Sequence, residues 1–264
     1  MKLLRPIIAV VVAMLLGGSV LALFYQLEPP KISVVELGGY ATSLKGRTRS
    51  QRINAQKAAR ALDGKIIAPG AVFSFNKVVK SWTFDQGYLK APVSYEGELV
   101  RAYGGGVCQT STTLYNAALI AGLPIVERHS HVFAPHYIPP GRDAAVAQLT
   151  VDLRFRNPYP FPLKIRASAP EDVIDLRILG SGPPKQRAFM TSQTLSEITP
   201  QRLTRTVIRP GGSGKSFVRN PGSIGYRVIT YRIFSEKGDE KRREQLSDDT
   251  YEAMNRVIQV SEPE

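Results

Sequence analysis

Cys108 is the chain's only cysteine, and its three histidines, His129, His131 and His136, fall close together a short way downstream, with Asp143 after them. A thiol attacks a carbonyl carbon well only as its thiolate. It reaches that state when a neighbouring base takes its proton and a third group fixes the base. Cysteine, histidine and aspartate supply one residue type for each role, which is the chemistry of amide hydrolysis or acyl transfer. Gln109, or the backbone N–H groups beside it, would hold an oxyanion. The same residues permit other uses. His129 and His131 are two apart, so on a strand they face one side. With His136 or Cys108 they would form a three-ligand zinc site with one open position. A purely structural use is open to each as well. Free cysteine is often a small buried hydrophobe, a histidine often bonds a backbone carbonyl, and Asp143 beside Pro139-Pro140-Gly141 suits a turn.

The setting of Cys108 argues for the reactive use. Gly104-Gly105-Gly106-Val107 precede it, and Leu114, Ala117, Ala118 and Ala121 then recur at helical spacing until Gly122 and Pro124. The cysteine therefore opens a helix, where unpaired N–H groups stabilise a thiolate. Ile125–Val132 reads as a strand carrying His129 and His131. The turn at Pro139–Gly141 leads to Asp143, an alternating strand follows over Val151–Phe155, and another lies near Leu163–Ile165. Upstream, a helix is expected from Ser50 to Gly64, a short strand over Val72–Phe75, and two more at Val93–Tyr95 and Leu99–Tyr103. Beyond about residue 167, strands are expected at Val173–Leu179 and Val228–Phe234, with a hairpin tip at Lys237-Gly238-Asp239 before Lys241–Leu246. The expected fold class is α+β. A mixed helix and antiparallel-sheet domain spans 46–166, and a β-rich region spans 167–264, either as a second module or as an extension of the first sheet. Gly211–Ser216 looks like a phosphate-binding loop, but the pattern needs a glycine where Arg209 stands.

Of 264 residues, 43% are apolar and 22% charged, which excludes a disordered chain. Residues 1–30 read as a membrane anchor. Lys2 and Arg5 precede the uncharged run Pro6–Tyr25, about 30 Å long as a helix. The positive flank keeps the N-terminus cytoplasmic and puts the body outside. A signal peptide cleaved near Val20-Leu21-Ala22 is the alternative, and it also exports the body. A linker, 31–45, follows. Export leaves Cys108 without an internal disulfide partner. The net charge is +13, with Lys45, Arg47, Arg49, Arg52, Lys57 and Arg60 clustered early. For an exported body this favours anionic lipid, an anionic cell-wall polymer or peptidoglycan as partner, and not nucleic acid. No cofactor is called for. A non-catalytic alternative uses Trp82, Tyr88, Tyr95, Tyr103 and Tyr137 to line a groove for glycan or peptide.

Several separated motifs, from about Arg52 to Ile165, resemble the VanW family. They are Pro69–Asn76, Gly104–Gln109, Leu114–Ala117, Glu127–His131 and Gly141–Ala144. The residues from about Pro221 to Val260 resemble, more weakly, the part that often follows this domain. The resemblance implies a bacterial envelope protein linked to glycopeptide resistance, but it names no reaction. In the catalytic reading Cys108 is the nucleophile, His131 the base and Asp143 the orienting group, and the family's pattern, which places its histidine at His131, puts His129 second. By analogy of geometry, the order of these residues is similar to the transglutaminase and papain-like arrangement, with peptide amides of peptidoglycan as the natural substrate class.

Overall fold

In the computed structural model, residues 34–262 are described, apart from 96–97, 185, 209–213 and 237–238. The expected anchor, the start of the linker, the tip of the late hairpin and most of the glycine-rich loop lie outside the described residues. Among the described residues no helix is long and apolar enough to cross a membrane.

Two helices make the centre. Helix α1 (Arg49–Leu62) starts at Thr48, whose hydroxyl accepts from the Gln51 amide while the Gln51 side chain reaches back to the Thr48 N–H, a capping box. It buries Asn54, Ala55, Ala58, Ala59 and Leu62. A second, short helix, α2 (Phe75–Val79), begins at Ser74. Helix α3 (Val107–Ile120) differs from α1 because nearly all of it is buried, polar residues included, while Cys108 stays part-exposed. A helix buried all round must find partners for its polar side chains inside the protein. The Thr110 hydroxyl donates to Ala55 O (3.1 Å), Ser111 to Ala144 O (2.6 Å), and Asn116 to Arg142 O (2.8 Å). These bonds pin α1 and the segment 142–144 to the same helix.

The strands arrange themselves around this centre, and Val35–Glu264 form one unit. Strands β1 (Val35–Ser43), β2 (Ile66–Ile67), β8 (Leu163–Ser168) and β9 (Val173–Gly180) make an antiparallel sheet in the order β1-β9-β8-β2. Here α3 packs closely enough that a side chain on Gly38 would come within 2.3 Å of the Ala121 amide. Strands β3 (Val72–Ser74), β6 (Ile125–Glu127) and β7 (Arg154–Arg156) form a small sheet, and β4 (Lys90–Tyr95) and β5 (Glu98–Tyr103) form a hairpin. In the C-terminal region, β10 (Arg187–Ile198), β13 (Gly225–Glu236) and β14 (Asp239–Tyr251) pair antiparallel. Strands β11 (Arg202–Ile208), β12 (Ser216–Asn220) and β15 (Arg256–Glu262) form a third group.

The architecture is the expected mixture of helix and antiparallel sheet with a β-rich C-terminal region, but several spans differ. Residues 35–43, expected within a linker, are β1, and β9 lies between β1 and β8 in the same sheet. The stretch Ile125–Val132 leaves the sheet after Glu127, because the His131 amide bonds the Asp143 carboxylate in place of a strand partner. Similarly Val151–Phe155 shortens to β7, while Val151 turns back onto Ala147.

The glycines before α3 are required by the approach of other groups. Gly106 sits at φ 110°, and a Cβ there would lie 2.3 Å from the Gln51 carbonyl of α1, while one on Gly104 would strike the Trp82 ring at 2.2 Å. Replacing Gly106 with Ala is expected to cost about 2–4 kcal/mol through strain and overpacking. Gly46, also at positive φ but with open space around its Cβ position, serves as the control, since Gly46→Ala meets only the backbone cost. Thermal unfolding of the two variants checks this: equal melting temperatures would show that the close packing at Gly106 carries no weight.

Candidate active site

Asp143 is fully buried and accepts four hydrogen bonds through its two oxygens. Oδ2 takes the His131 backbone N–H (2.7 Å) and the His131 Nδ1–H (2.5 Å). Oδ1 takes an Arg128 Nη2–H (2.9 Å) and the Tyr251 hydroxyl (2.5 Å). With Nδ1 held in this way, Nε2 of His131 is left free to face the thiol of Cys108, which lies near enough for the imidazole to lower its pKa. The Cys108 Sγ also lies 3.4 Å from the Val146 carbonyl. The structure thus brings Cys108, His131 and Asp143 together at the mouth of α3, although 35 residues separate the first from the last.

Electrostatics follow from these contacts. Burial alone would raise the Cys108 thiol. The hydrogen bond and charge of His131 outweigh it and bring the thiol below its ordinary value. Burial likewise opposes protonation of His131, but Asp143 and the Cys108 thiolate raise it to about 10. Asp143, whose burial favours the neutral acid, is held at about 2 by His131, Arg128 and Tyr251. Both shifts run in the direction of a thiolate–imidazolium pair.

The supports come from far along the chain. Arg128, its side chain only 7% exposed, places Nη1 on both oxygens of Asp249 (2.6 and 2.7 Å) and Nε on the Asp143 carbonyl (2.7 Å). The Tyr251 hydroxyl, while donating to Asp143, accepts from the Gly141 amide (2.8 Å). Asp249 and Tyr251 belong to β14. No motif marked them in the sequence; only the folded chain, which buries both at the end of a long charged strand, sets them apart.

Other expected site residues take different positions. Gln109 does not face the thiol. Its Nε2 donates to Thr42 Oγ1 (3.2 Å) and Ser43 O (2.8 Å), and its Oε1 accepts from Arg47 Nε (3.0 Å), so no side-chain hydrogen remains for an oxyanion. Among the described residues no group of three His, Cys, Asp or Glu side chains is placed to hold a metal ion. His129, 48% exposed, turns instead to Glu127 (3.2 Å). The expected aromatic groove is dispersed. Tyr88 is core, Trp82 lies over Gly104, Tyr103 is exposed beside Lys90, and Tyr137 stands at the thiol, while the Tyr95 side chain lies outside the described residues. Of the basic cluster, Arg52 pairs with Asp172 (2.9 Å) and Lys57 covers the Tyr88 ring.

Fold and site together define an α+β protein with a cysteine and a histidine–aspartate pair at a buried helix mouth, braced by a C-terminal β region. Residues 50–179 match the family described as VanW like protein, and the chain belongs to that family. Residues 212–261 match the G5 domain. The chain is 45% identical over 136 residues to YoaR of Bacillus subtilis (strain 168), a match covering 52% of this chain and 45% of that protein. It is 34% identical over 109 residues to the vancomycin B-type resistance protein VanW of Enterococcus faecalis (strain ATCC 700802 / V583), covering 39% of this chain and 40% of that one. The chain thus spans less than half the length of these relatives in the matched part. Among solved structures, the IgA1 protease G5 domain is 24% identical and covers 30% of this chain and 95% of its own, with a TM-score of 0.20.

The Asp143 environment sets an acid limit on stability. A carboxyl near 3.9 when unfolded and about 2 when folded contributes stability that is complete above the unfolded value and is lost as pH falls through the folded one. The contribution is on the order of 2 kcal/mol. Urea midpoints are expected to drop steeply between about pH 4 and pH 2. Asp143→Asn should be less stable at pH 6 and show a shallower acid decline; parallel curves for the two proteins would contradict the assignment.

Proposed function

We propose that this chain is a membrane-anchored, extracytoplasmic protein of the bacterial envelope. Its VanW domain acts as a cysteine-dependent amide hydrolase or acyl transferase on peptidoglycan-type peptides. The observation that carries the reading is the His131 imidazole, tied through Nδ1 to the buried Asp143 carboxylate and set beside Cys108, a part-exposed residue at a helix N-terminus. A buried structural cysteine would have no use for an imidazole fixed by a fully buried carboxylate.

In this reading the Cys108 thiolate adds to the amide carbonyl carbon. The oxyanion is met by the Cys108 backbone N–H, since the amides of Val107 and Gln109 are already bonded to the Gly104 and Gly106 carbonyls (2.9 and 3.2 Å). Imidazolium His131 gives its Nε2 proton to the departing amine, the C–N bond breaks, and a thioester remains. Acylation removes the thiolate charge that held the proton on His131. The neutral imidazole then serves as base for the water or amine that displaces the thioester, and the proton returns to the Cys108–His131 pair. Asp143 keeps the ring in one tautomer throughout.

The match to a G5 domain supports a second role for the same chain, adhesion to a wall polymer. Strands β11 and β12 expose Leu203, Phe217 and Val218 to solvent, which suits contact with a large ligand. The full chain is expected to be retained on isolated cell-wall material, and recovery in the unbound fraction at all salt concentrations would remove this role.

Because Cys108 is the only cysteine, alkylation reads it without ambiguity. Iodoacetamide labelling of the full chain should follow an apparent pKa clearly below the free-thiol value of about 8.5. His131→Ala should shift it upward and slow labelling at pH 7 by about tenfold or more. A thiol that labels only after denaturation would end the catalytic reading.

A further inference from the structure

Arg47 entered the sequence reading only as one of six basic residues. In the fold it is part-buried, with its Nε bonded to the Gln109 side chain and its guanidinium carbon 4.8 Å from the centre of the Tyr137 ring. Among the described residues it makes no ion pair. Burial, uncompensated by any carboxylate, lowers its affinity for a proton. A cation in that position asks for an anion, because removing a guanidinium from water without a partner is costly. The nitrogen used for Gln109 is Nε, so the two terminal nitrogens of the planar fork remain.

Tyr137 tells the same story from the other side. Its hydroxyl is buried and completes no hydrogen bond. Thr112 lies close by, but its hydroxyl is turned to Ala144, accepting from the amide (3.0 Å) and donating to the carbonyl (3.4 Å), and it completes no bond with the phenol. Burial and the nearby Cys108 both raise the Tyr137 phenol, so it stays protonated and able to donate. A buried donor without an acceptor is rare in a finished protein and marks a place where a ligand supplies the missing oxygen.

Tyr137 lies near the thiol, and Arg47 packs against its ring. Gln109 follows Cys108 on α3 and ties Arg47 in place, while the Tyr137 phenol is near enough to feel the charge of the Cys108 sulfur. We propose that Arg47 and Tyr137 form a carboxylate-binding subsite beside Cys108, so that the protein selects acyl substrates bearing a carboxylate next to the bond that is cut. The guanidinium offers a two-pronged fit to the carboxylate, and the phenol adds a third bond from the buried side. Gln109 is then a positioning residue for Arg47. The subsite deepens the reading of Cys108 as a nucleophile and rests on it for the identity of the cut bond, but its own anion binding is measurable separately.

The test compares an anionic and a neutral alkylating reagent on the full chain. Iodoacetate and iodoacetamide react with the same thiolate, so the ratio of their rates cancels the thiolate fraction and reports the anion site alone. Arg47→Met is expected to lower the iodoacetate-to-iodoacetamide ratio by about tenfold or more, and Tyr137→Phe by about threefold. Protection adds the substrate class. An acetylated alanine dipeptide with a free C-terminal carboxylate should shield Cys108 from iodoacetamide. Its C-terminal amide should not, and a glutamate-containing dipeptide amide distinguishes a side-chain carboxylate from a terminal one. Should Arg47→Met fail to fold by circular dichroism, Arg47→Lys, which keeps a charge but loses the fork, carries the same comparison with a smaller drop. An unchanged ratio in the folded variants, or equal protection by acid and amide, overturns the subsite. Slow iodoacetamide labelling of the parent with a normal ratio response would instead sink the thiolate reading and leave the subsite standing.

Discussion

Arg128 holds the structure of the site together. It is one buried guanidinium between two buried carboxylates, Asp143 from the segment after the histidines and Asp249 from β14, with the Tyr115 ring of α3 beneath it. Desolvating three charged groups is unfavourable, and their mutual attraction offsets it only while every member is present and hydrogen-bonded. Here that condition is met: both oxygens of each carboxylate are engaged, and all three guanidinium nitrogens have acceptors. The position of His131 is a consequence. Its ring and its backbone amide hang on the oxygen of Asp143 that Arg128 does not use.

Two sets of polar groups lie near the thiol. One is Arg128 and His131 with Asp143 and Asp249, and the other is Arg47 stacked on Tyr137. The first set is internally bonded. The second is not: Arg47 and Tyr137 keep donors that the protein leaves without acceptors. A fold that satisfies nearly every buried polar group elsewhere, including the Gln109, Ser111, Thr112 and Asn116 side chains of α3, leaves this corner open.

Much of the core site was legible in the sequence because local rules determine it. Glycines before an alanine-rich periodic stretch place Cys108 at a helix start, whereas its nearness to His131 and Asp143 is a matter of tertiary packing. The role of Gln109 was misread because adjacent helical residues point about 100° apart, so the residue after the cysteine faces β1 and not the thiol. The polar run Thr110–Thr113 held a clue to this, since a helix with so many hydroxyls is buried on every side or on none. Arg128 was visible only as part of a motif, and its partner Asp249 lies 121 positions away on a strand with no distinguishing pattern. Such pairings are products of tertiary packing, and composition or periodicity carries no trace of them. The shortening of the Ile125–Val132 strand has the same origin, a side-chain acceptor competing with the sheet for the His131 amide.

That long-range pairing bears on how the two matched regions relate. Asp249 and Tyr251 lie within the residues that match the G5 domain, whereas Arg128 and Asp143 lie within the VanW match. Neighbouring β13 adds another tie, since Arg232, itself nearly fully buried, donates from Nη1 to the carbonyl of Leu123 just beyond α3 (2.7 Å) and is paired at its other end with Glu244. A linker-joined binding module would leave the orienting aspartate unaffected by what happens at the far strands. In this chain the strand β14 contributes directly to the hydrogen bonds on Asp143, and through them to the tautomer and charge of His131. Strain or ordering of the C-terminal strands therefore has a short physical route to the thiol: one strand, one tyrosine hydroxyl and one guanidinium.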